Sequence, residues 1–113
     1  MAAAATALAG TLKVLPAHAL TEKDKVSVRP HNKKQVSLLG FGCMRLPMKG
    51  GQIDMELTAD LFDYAIRHGV NYFDTAWPYL GGKSETAVGE LLKKYPRESF
   101  YLADKCPTFY KRR

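Results

Sequence analysis

Apolar and polar positions along this chain alternate between short β-like runs and longer helical stripes. Val26-Ser27-Val28-Arg29 has period two, Pro30-His31-Asn32-Lys33 carries turn formers, and Gln35-Val36-Ser37-Leu38-Leu39 resumes an apolar run. That pattern predicts an N-terminal β-hairpin. Leu39-Gly40-Phe41-Gly42-Cys43-Met44 then reads as a strand, and glycines inside a strand mark the close approach of another backbone or a ligand. After a loop at 47–51, Asp54 is placed to cap a helix whose stripe is Leu57, Leu61, Phe62, Ala65 and Ile66. Arg67, His68 and Gly69 form its stop: basic residues in the last turn, then a residue tolerant of positive φ. Val70-Asn71-Tyr72-Phe73 is rich in β-formers and ends at Asp74, and residues 77–82 read as loop. Ser84 is placed to cap a second helix with the stripe Ala87, Val88, Leu91, Leu92 and Tyr95, which Pro96 ends. Phe100-Tyr101-Leu102-Ala103 makes a last strand before Asp104-Lys105. Phe62, Tyr64 and Tyr95 fall on helical stripes and are expected in the core.

Strand, helix, strand, helix, strand, at about 30 residues per unit, is the order of parallel strands joined by right-handed helical crossovers. The fold class is α/β. Parallel strands are covered on both faces, which accounts for Tyr72, Phe73, Phe100, Tyr101 and Leu102 running together without charged neighbours.

Composition narrows this picture. A chain of 113 residues, 46% hydrophobic, makes one modest domain, and a closed barrel of ~250 residues does not fit in it. The formal charge of +6 permits an acidic partner but does not require one. Lys93-Lys94 and Tyr110-Lys-Arg-Arg113, which supply much of it, read as solvated faces, so no nucleic acid is expected as a partner. Two cysteines, Cys43 and Cys106, with no Cys-x-x-Cys pair, exclude a zinc ribbon and a disulfide scaffold; they are expected as free, buried thiols. His18, His31 and His68 lack metal-ligand spacing, so no metal is expected, and His68 suits a helix C-terminus. No run approaches the ~20 apolar residues a membrane helix needs.

Residues 1–21 stand apart from the rest, residues 22–113. The Ala-rich stretch at 2–12, followed by Pro16-Ala17-His18-Ala19, resembles the apolar region and cleavage site of a secretory signal. It has no positive region before it, the pattern left when a Tat-like signal is truncated. The other reading is a frayed Ala-rich helix without a targeting role. Export follows from the first and a cytoplasmic location from the second.

The chemistry lies at the carboxyl ends of the strands, where α/β folds build their sites. Asp74 ends one strand, Tyr79 follows in the next loop, and Lys105 ends another strand. Tyrosine has an ordinary pKa near 10 and is a poor proton donor at neutral pH. An adjacent ammonium favours tyrosinate, each pKa unit being worth about 1.36 kcal/mol, and a carboxylate keeps that ammonium charged. Asp, Lys and Tyr together make a general acid for a carbonyl oxygen while a cofactor supplies hydride.

These same residues carry a resemblance. Leu39-Gly-Phe-Gly-Cys-Met44, Gly69-Val-Asn-Tyr-Phe-Asp-Thr-Ala76, Tyr79 with Gly82-Lys-Ser-Glu85 and Gly89, and Ala103-Asp-Lys105 together resemble the aldo/keto reductase family over roughly residues 26–107. The Asp-Thr-Ala-x-x-Tyr and Gly-x-Ser-Glu blocks are specific; Gly-Phe-Gly alone is weak. The resemblance implies a (β/α)8 TIM barrel, of which this chain would be an N-terminal hairpin plus about three parallel strands and two helices. It implies NADPH, or NADH, as hydride donor and a small carbonyl substrate reduced to an alcohol. It makes Tyr79 the proton donor, Lys105 its partner and Asp74 the carboxylate on Lys105, and it places Cys43, Met44 and Asp74 near the nicotinamide ribose. No iron–sulfur cluster is expected, since the tail that carries one in some bacterial members is absent from these residues. The family's catalytic histidine and most of its cofactor clamp would fall beyond Arg113, and Asp104 stands where Thr is common. On this reading the chain alone is inactive. Its open sheet would expose an edge suited to self-association. The alternative is a small basic binding module without catalysis.

Overall fold

The computed structural model describes residues 21–108, so the leader-like stretch and the basic terminal cluster lie outside the described residues. Two strands, β1 (Val28–His31) and β2 (Lys34–Ser37), pair antiparallel with His31 opposite Lys34. Asn32 and Lys33 both take positive φ, +46° and +65°, the two-residue turn whose twist matches the strands. The hairpin was expected, but with Pro30 and His31 in the turn. Instead both belong to β1, where Pro30 pairs with Gln35 in a two-stranded ribbon that tolerates a proline.

The loop expected at 47–51 contains structure. β4 (Met48–Lys49) and β5 (Gln52–Ile53) form a second small hairpin, closed by Gly50 and Gly51 at φ +57° and +75°. It follows β3 (Phe41–Gly42) and leads directly into α1 (Met55–Arg67). The Asp54 side chain accepts from the Leu57 amide at 3.0 Å, capping α1 as expected. The C-terminal stop is also as expected. Gly69, at φ +86°, donates to the Ile66 carbonyl at 2.9 Å, and Val70 donates to that of Ala65 at 3.0 Å. His68 is the C-cap residue, with Nδ1 2.7 Å from the Tyr64 carbonyl.

Beyond α1 come β6 (Tyr72–Asp74), α2 (Ser84–Leu92) and β7 (Tyr101–Ala103). The order β3-β6-β7 is parallel throughout, with Gly42 opposite Asp74 and Asp74 opposite Ala103. This is the α/β class the alternation predicts, with three parallel strands and two helices. The core packs Phe62 of α1 and Val88, Leu91 and Leu92 of α2 against Phe73 and Cys43. Phe41, Phe62 and Phe73 have ring centroids 4.9–5.7 Å apart. Tyr95 packs at the margin of this core, whereas Tyr64 is 40% exposed and stacks on His68 at 4.0 Å instead. Covering of both sheet faces does not hold: the face toward α1 and α2 is packed, while Tyr72 and Tyr101 on the other face line a cleft.

Asn71 docks the first hairpin onto the sheet. Its Oδ1 accepts from the Ser37 amide at 2.8 Å, its own amide donates to Ser37 Oγ at 3.1 Å, and its Nδ2 donates to the Gln35 carbonyl at 2.9 Å. Gly40 explains one strand glycine, since a Cβ there would lie 3.2 Å from the Tyr72 ring. Gly42 differs: a Cβ there would meet nothing within 4 Å. Among the described residues, no helix is long and apolar enough to cross a membrane.

Candidate active site on the carboxyl rim of the sheet

The three parallel strands end on one rim, and the register delivers the side chains there. Asp74 is the last residue of β6, level with Gly42 on one side and Ala103 on the other. Two residues past Ala103, Lys105 turns back over the rim. Its Nζ donates to Asp74 Oδ1 at 2.6 Å and to the Thr75 carbonyl at 3.1 Å. The same ammonium sits 4.9 Å from the centre of the Tyr79 ring, on its face. Tyr79 opens the kinked turn Tyr79–Gly82, in which Leu80 and Gly81 adopt left-handed backbone, φ +53° and +65°. Sequence reading thus named three residues, Asp74, Tyr79 and Lys105, that the structure brings together.

The electrostatics follow from the contacts. The Asp74 carboxylate, and after it the Tyr79 side chain, push the Lys105 ammonium to ionise above the ordinary lysine value. Lys105 and Asp74 remain open to solvent, with side chains 49% and 37% exposed. A carboxyl pair lies on the same rim: Asp104 beside Glu85 raises the Glu85 carboxyl above its usual range. The Asp104 side chain also accepts from the Lys105 amide at 2.7 Å.

Cys43 and Met44, expected near a cofactor, part company. Met44 is exposed at the end of β3, on the rim. The Cys43 side chain is fully buried in the core cluster, below the rim. Burial, reinforced by the Asp74 charge, pushes its thiol up to about 12. The Cys43 backbone is engaged too: its amide donates to the Asp74 carbonyl at 2.8 Å and its carbonyl accepts from Ser84 Oγ at 2.8 Å. Of the two thiols expected to be buried, Cys43 is and Cys106 is not, being exposed. No group of residues able to hold a metal ion occurs among the described residues.

Ser84 was missed in kind. Its sequence position suggests a helix cap, yet Lys83 is the N-cap residue and makes no side-chain cap bond. Lys83 instead reaches Gln52 Oε1 at 2.9 Å and fastens the second hairpin to α2. Ser84 is wholly buried, and its Oγ lies 2.9 Å from Thr75 Oγ1, itself 2% exposed. The signal in sequence was the recurrence of hydroxyls in Asp-Thr-Ala and Gly-x-Ser-Glu, two blocks that follow each other closely along the chain. A cleft of about 930 Å3 lies elsewhere, between the first hairpin and β7, with Arg29, Lys34, Tyr72 and Tyr101 in its walls. It touches none of Asp74, Tyr79 and Lys105 and is the unpacked side of the sheet.

Parallel strands joined by helices, with Asp, Lys and Tyr gathered at the carboxyl ends, define an α/β protein with a polar rim site. The chain belongs to the aldo/keto reductase family, whose family model matches residues 38–113. It is 36% identical over 81 residues to the NADH-specific methylglyoxal reductase of Escherichia coli (strain K12), covering 69% of this chain and 25% of that protein. It is 40% identical over 74 residues to probable aldo-keto reductase 1 of Glycine max, covering 63% of this chain and 21% of that protein. The chain therefore spans about a quarter of the length of these curated relatives, or less.

Proposed function

We propose that these residues form the N-terminal part of an oxidoreductase that reduces small aldehydes and ketones to alcohols with a nicotinamide cofactor. The observation that carries this reading is the 2.6 Å contact between Lys105 and Asp74 with the Tyr79 ring against the same ammonium. Tyr79 gives its phenolic proton to the carbonyl oxygen of the substrate. Lys105 offsets the negative charge left on the phenol, and Asp74 keeps Lys105 protonated while fixing its place.

The rim suits a nicotinamide cofactor. Gly42 presents bare backbone with nothing within 4 Å of where a Cβ would stand, beside Asp74 and the exposed Met44. Met44 and Asp74 would hold the ribose, and Cys43 contributes only by anchoring the strand end beneath them. When bound, the cofactor supplies the hydride. We read NADPH as its usual form, with NADH as the alternative that the name of the Escherichia coli relative favours.

With about a quarter of the relatives' length in hand, the chain by itself is proposed to be inactive, and the activity belongs to the whole protein. The test is carbonyl-dependent oxidation of NADPH and of NADH, each followed by nicotinamide absorbance, in the whole protein and in its Tyr79→Phe variant. Tyr79→Phe is expected to lower kcat by about 10²–10⁴-fold, the usual contribution of a general acid. Full activity in that variant would overturn the assignment of the proton donor.

A further inference from the structure

We propose that Ser84 and Thr75 are positioning residues whose buried hydroxyl pair holds the Thr75 carbonyl where it orients the Lys105 ammonium. Ser84 Oγ has one proton, and it goes to the Cys43 carbonyl at 2.8 Å; the 2.9 Å contact with Thr75 is then donated by Thr75. Every other polar group at the junction is also committed. The Cys43 amide donates to the Asp74 carbonyl, and the Thr75 amide donates to the Ala103 carbonyl at 2.9 Å. A single buried hydroxyl at the start of α2 thus ties the ends of β3 and β6, and through the Thr75 amide the end of β7. Lys105 is the first charged group that this junction touches, through the Thr75 carbonyl at 3.1 Å. That contact sets the angle from which Nζ meets Asp74 and the face of Tyr79.

The fold spends the Ser84 hydroxyl on this junction and leaves the N-terminus of α2 without a side-chain cap. A cap would have stabilised the helix alone. Buried hydroxyls in such a network have one arrangement that satisfies all partners, so they fix backbone positions more tightly than apolar packing does. The inference rests on the reading of Lys105 as the partner of Tyr79.

The experiment follows the titration of Lys105 directly, by nuclear magnetic resonance of its side-chain Cε in the 113-residue chain, so that turnover does not enter. The groups that bear on Lys105 are Asp74 from β6, Tyr79 from the turn, the Cys43 thiol below, and Asp104 on its own segment with Glu85 of α2 against it. In the unaltered chain Lys105 is expected to titrate above exposed lysines. Ser84→Ala and Thr75→Val are each expected to lower that upward displacement measurably, while Thr75→Ser, which keeps the hydroxyl, retains it in full. Should Ser84→Ala not fold, the Thr75→Val and Thr75→Ser pair answers the question by itself. A lower thermal midpoint in Ser84→Ala and Thr75→Val with Lys105 titrating unchanged would make the two hydroxyls structural only, and the proposal would be wrong. Asp74→Asn separates the parent reading: if it leaves Lys105 unmoved, the Asp74–Lys105 pair itself fails, whatever the hydroxyls do.

Discussion

Cys43 and Cys106 are chemically the same side chain in opposite circumstances. The reactive form of a cysteine is the thiolate, so exposure and ease of ionisation decide which of the two reacts. Cys43 is fully buried and its thiol is pushed to about 12, while Cys106 is exposed. Under native conditions near neutral pH, a maleimide is expected to label one thiol per chain, at Cys106, and both after denaturation; mass spectrometry of the adduct counts them. Native labelling of Cys43 would mean that the end of β3 opens readily. The same burial shapes the alkaline limit of stability. In the unfolded chain the Cys43 thiol ionises near its ordinary value of 9.0, and in the folded chain only at about 12. The unfolded state therefore loses its proton first, and Cys43 contributes a loss of stability as pH climbs from 9 toward 12. Urea midpoints across that range should fall less steeply in Cys43→Ala than in the unaltered chain. Of these residue properties, the sequence made the rim triad legible, because strand ends and loop positions follow from pattern. The exposure of Cys106 and the use of Ser84 were not legible, since both depend on which way a side chain leaves a strand end or a helix start.

Elements were easiest to read where several local signals agree. For α1, the Asp54 cap, the apolar stripe and the Gly69 stop all point the same way, and the helix runs from Met55 to Arg67. At its end the two Schellman-type bonds depend on Gly69 holding φ +86°. A Cβ there would only touch Lys25 and Val26 at ordinary distances, so strain in the backbone is what a substitution costs. Gly69→Ala is expected to lose about 1–2 kcal/mol in urea unfolding. The β4–β5 hairpin escaped because two-residue strands carry no period; its one signal was the Gly50-Gly51 dipeptide, a strong former of this turn. A different contact joins the two helices' ends. Tyr95 donates to Asp63 of α1, and Lys94 reaches the other oxygen of that carboxylate at 3.1 Å. Chiefly the Tyr95 bond holds the Asp63 carboxyl below its ordinary value. Because the folded value is the lower one, this contribution is present above the ordinary carboxylate range and disappears as pH falls through the lowered value. Tyr95→Phe should cost about 1 kcal/mol near neutral pH and lessen the acid-side slope of stability. Equal midpoints for the two proteins at neutral pH would remove the latch from the account.

At the scale of the molecule, the sheet has one packed face and one open one. Among the described residues, β3 and β7 each pair on one side only, with β6 between them. Unpaired strand edges and bare apolar sheet surface are both templates for another chain. Leu102 of β7, level with Phe73 but 40% exposed, leaves apolar surface bare beside the unpaired edge. The (β/α)8 reading gives these surfaces a natural cover in further strands, and a chain produced without them has only copies of itself. The 113-residue chain is therefore expected to self-associate through β7. Sedimentation velocity over a range of concentrations should show mass rising with concentration. Leu102→Lys, which places a charge at the exposed position of this edge strand, should shift the chain toward monomer. A compact monomer at every concentration in the unaltered chain would mean that the open face is tolerated, and that the hairpin β1–β2, docked by Asn71, covers enough of it.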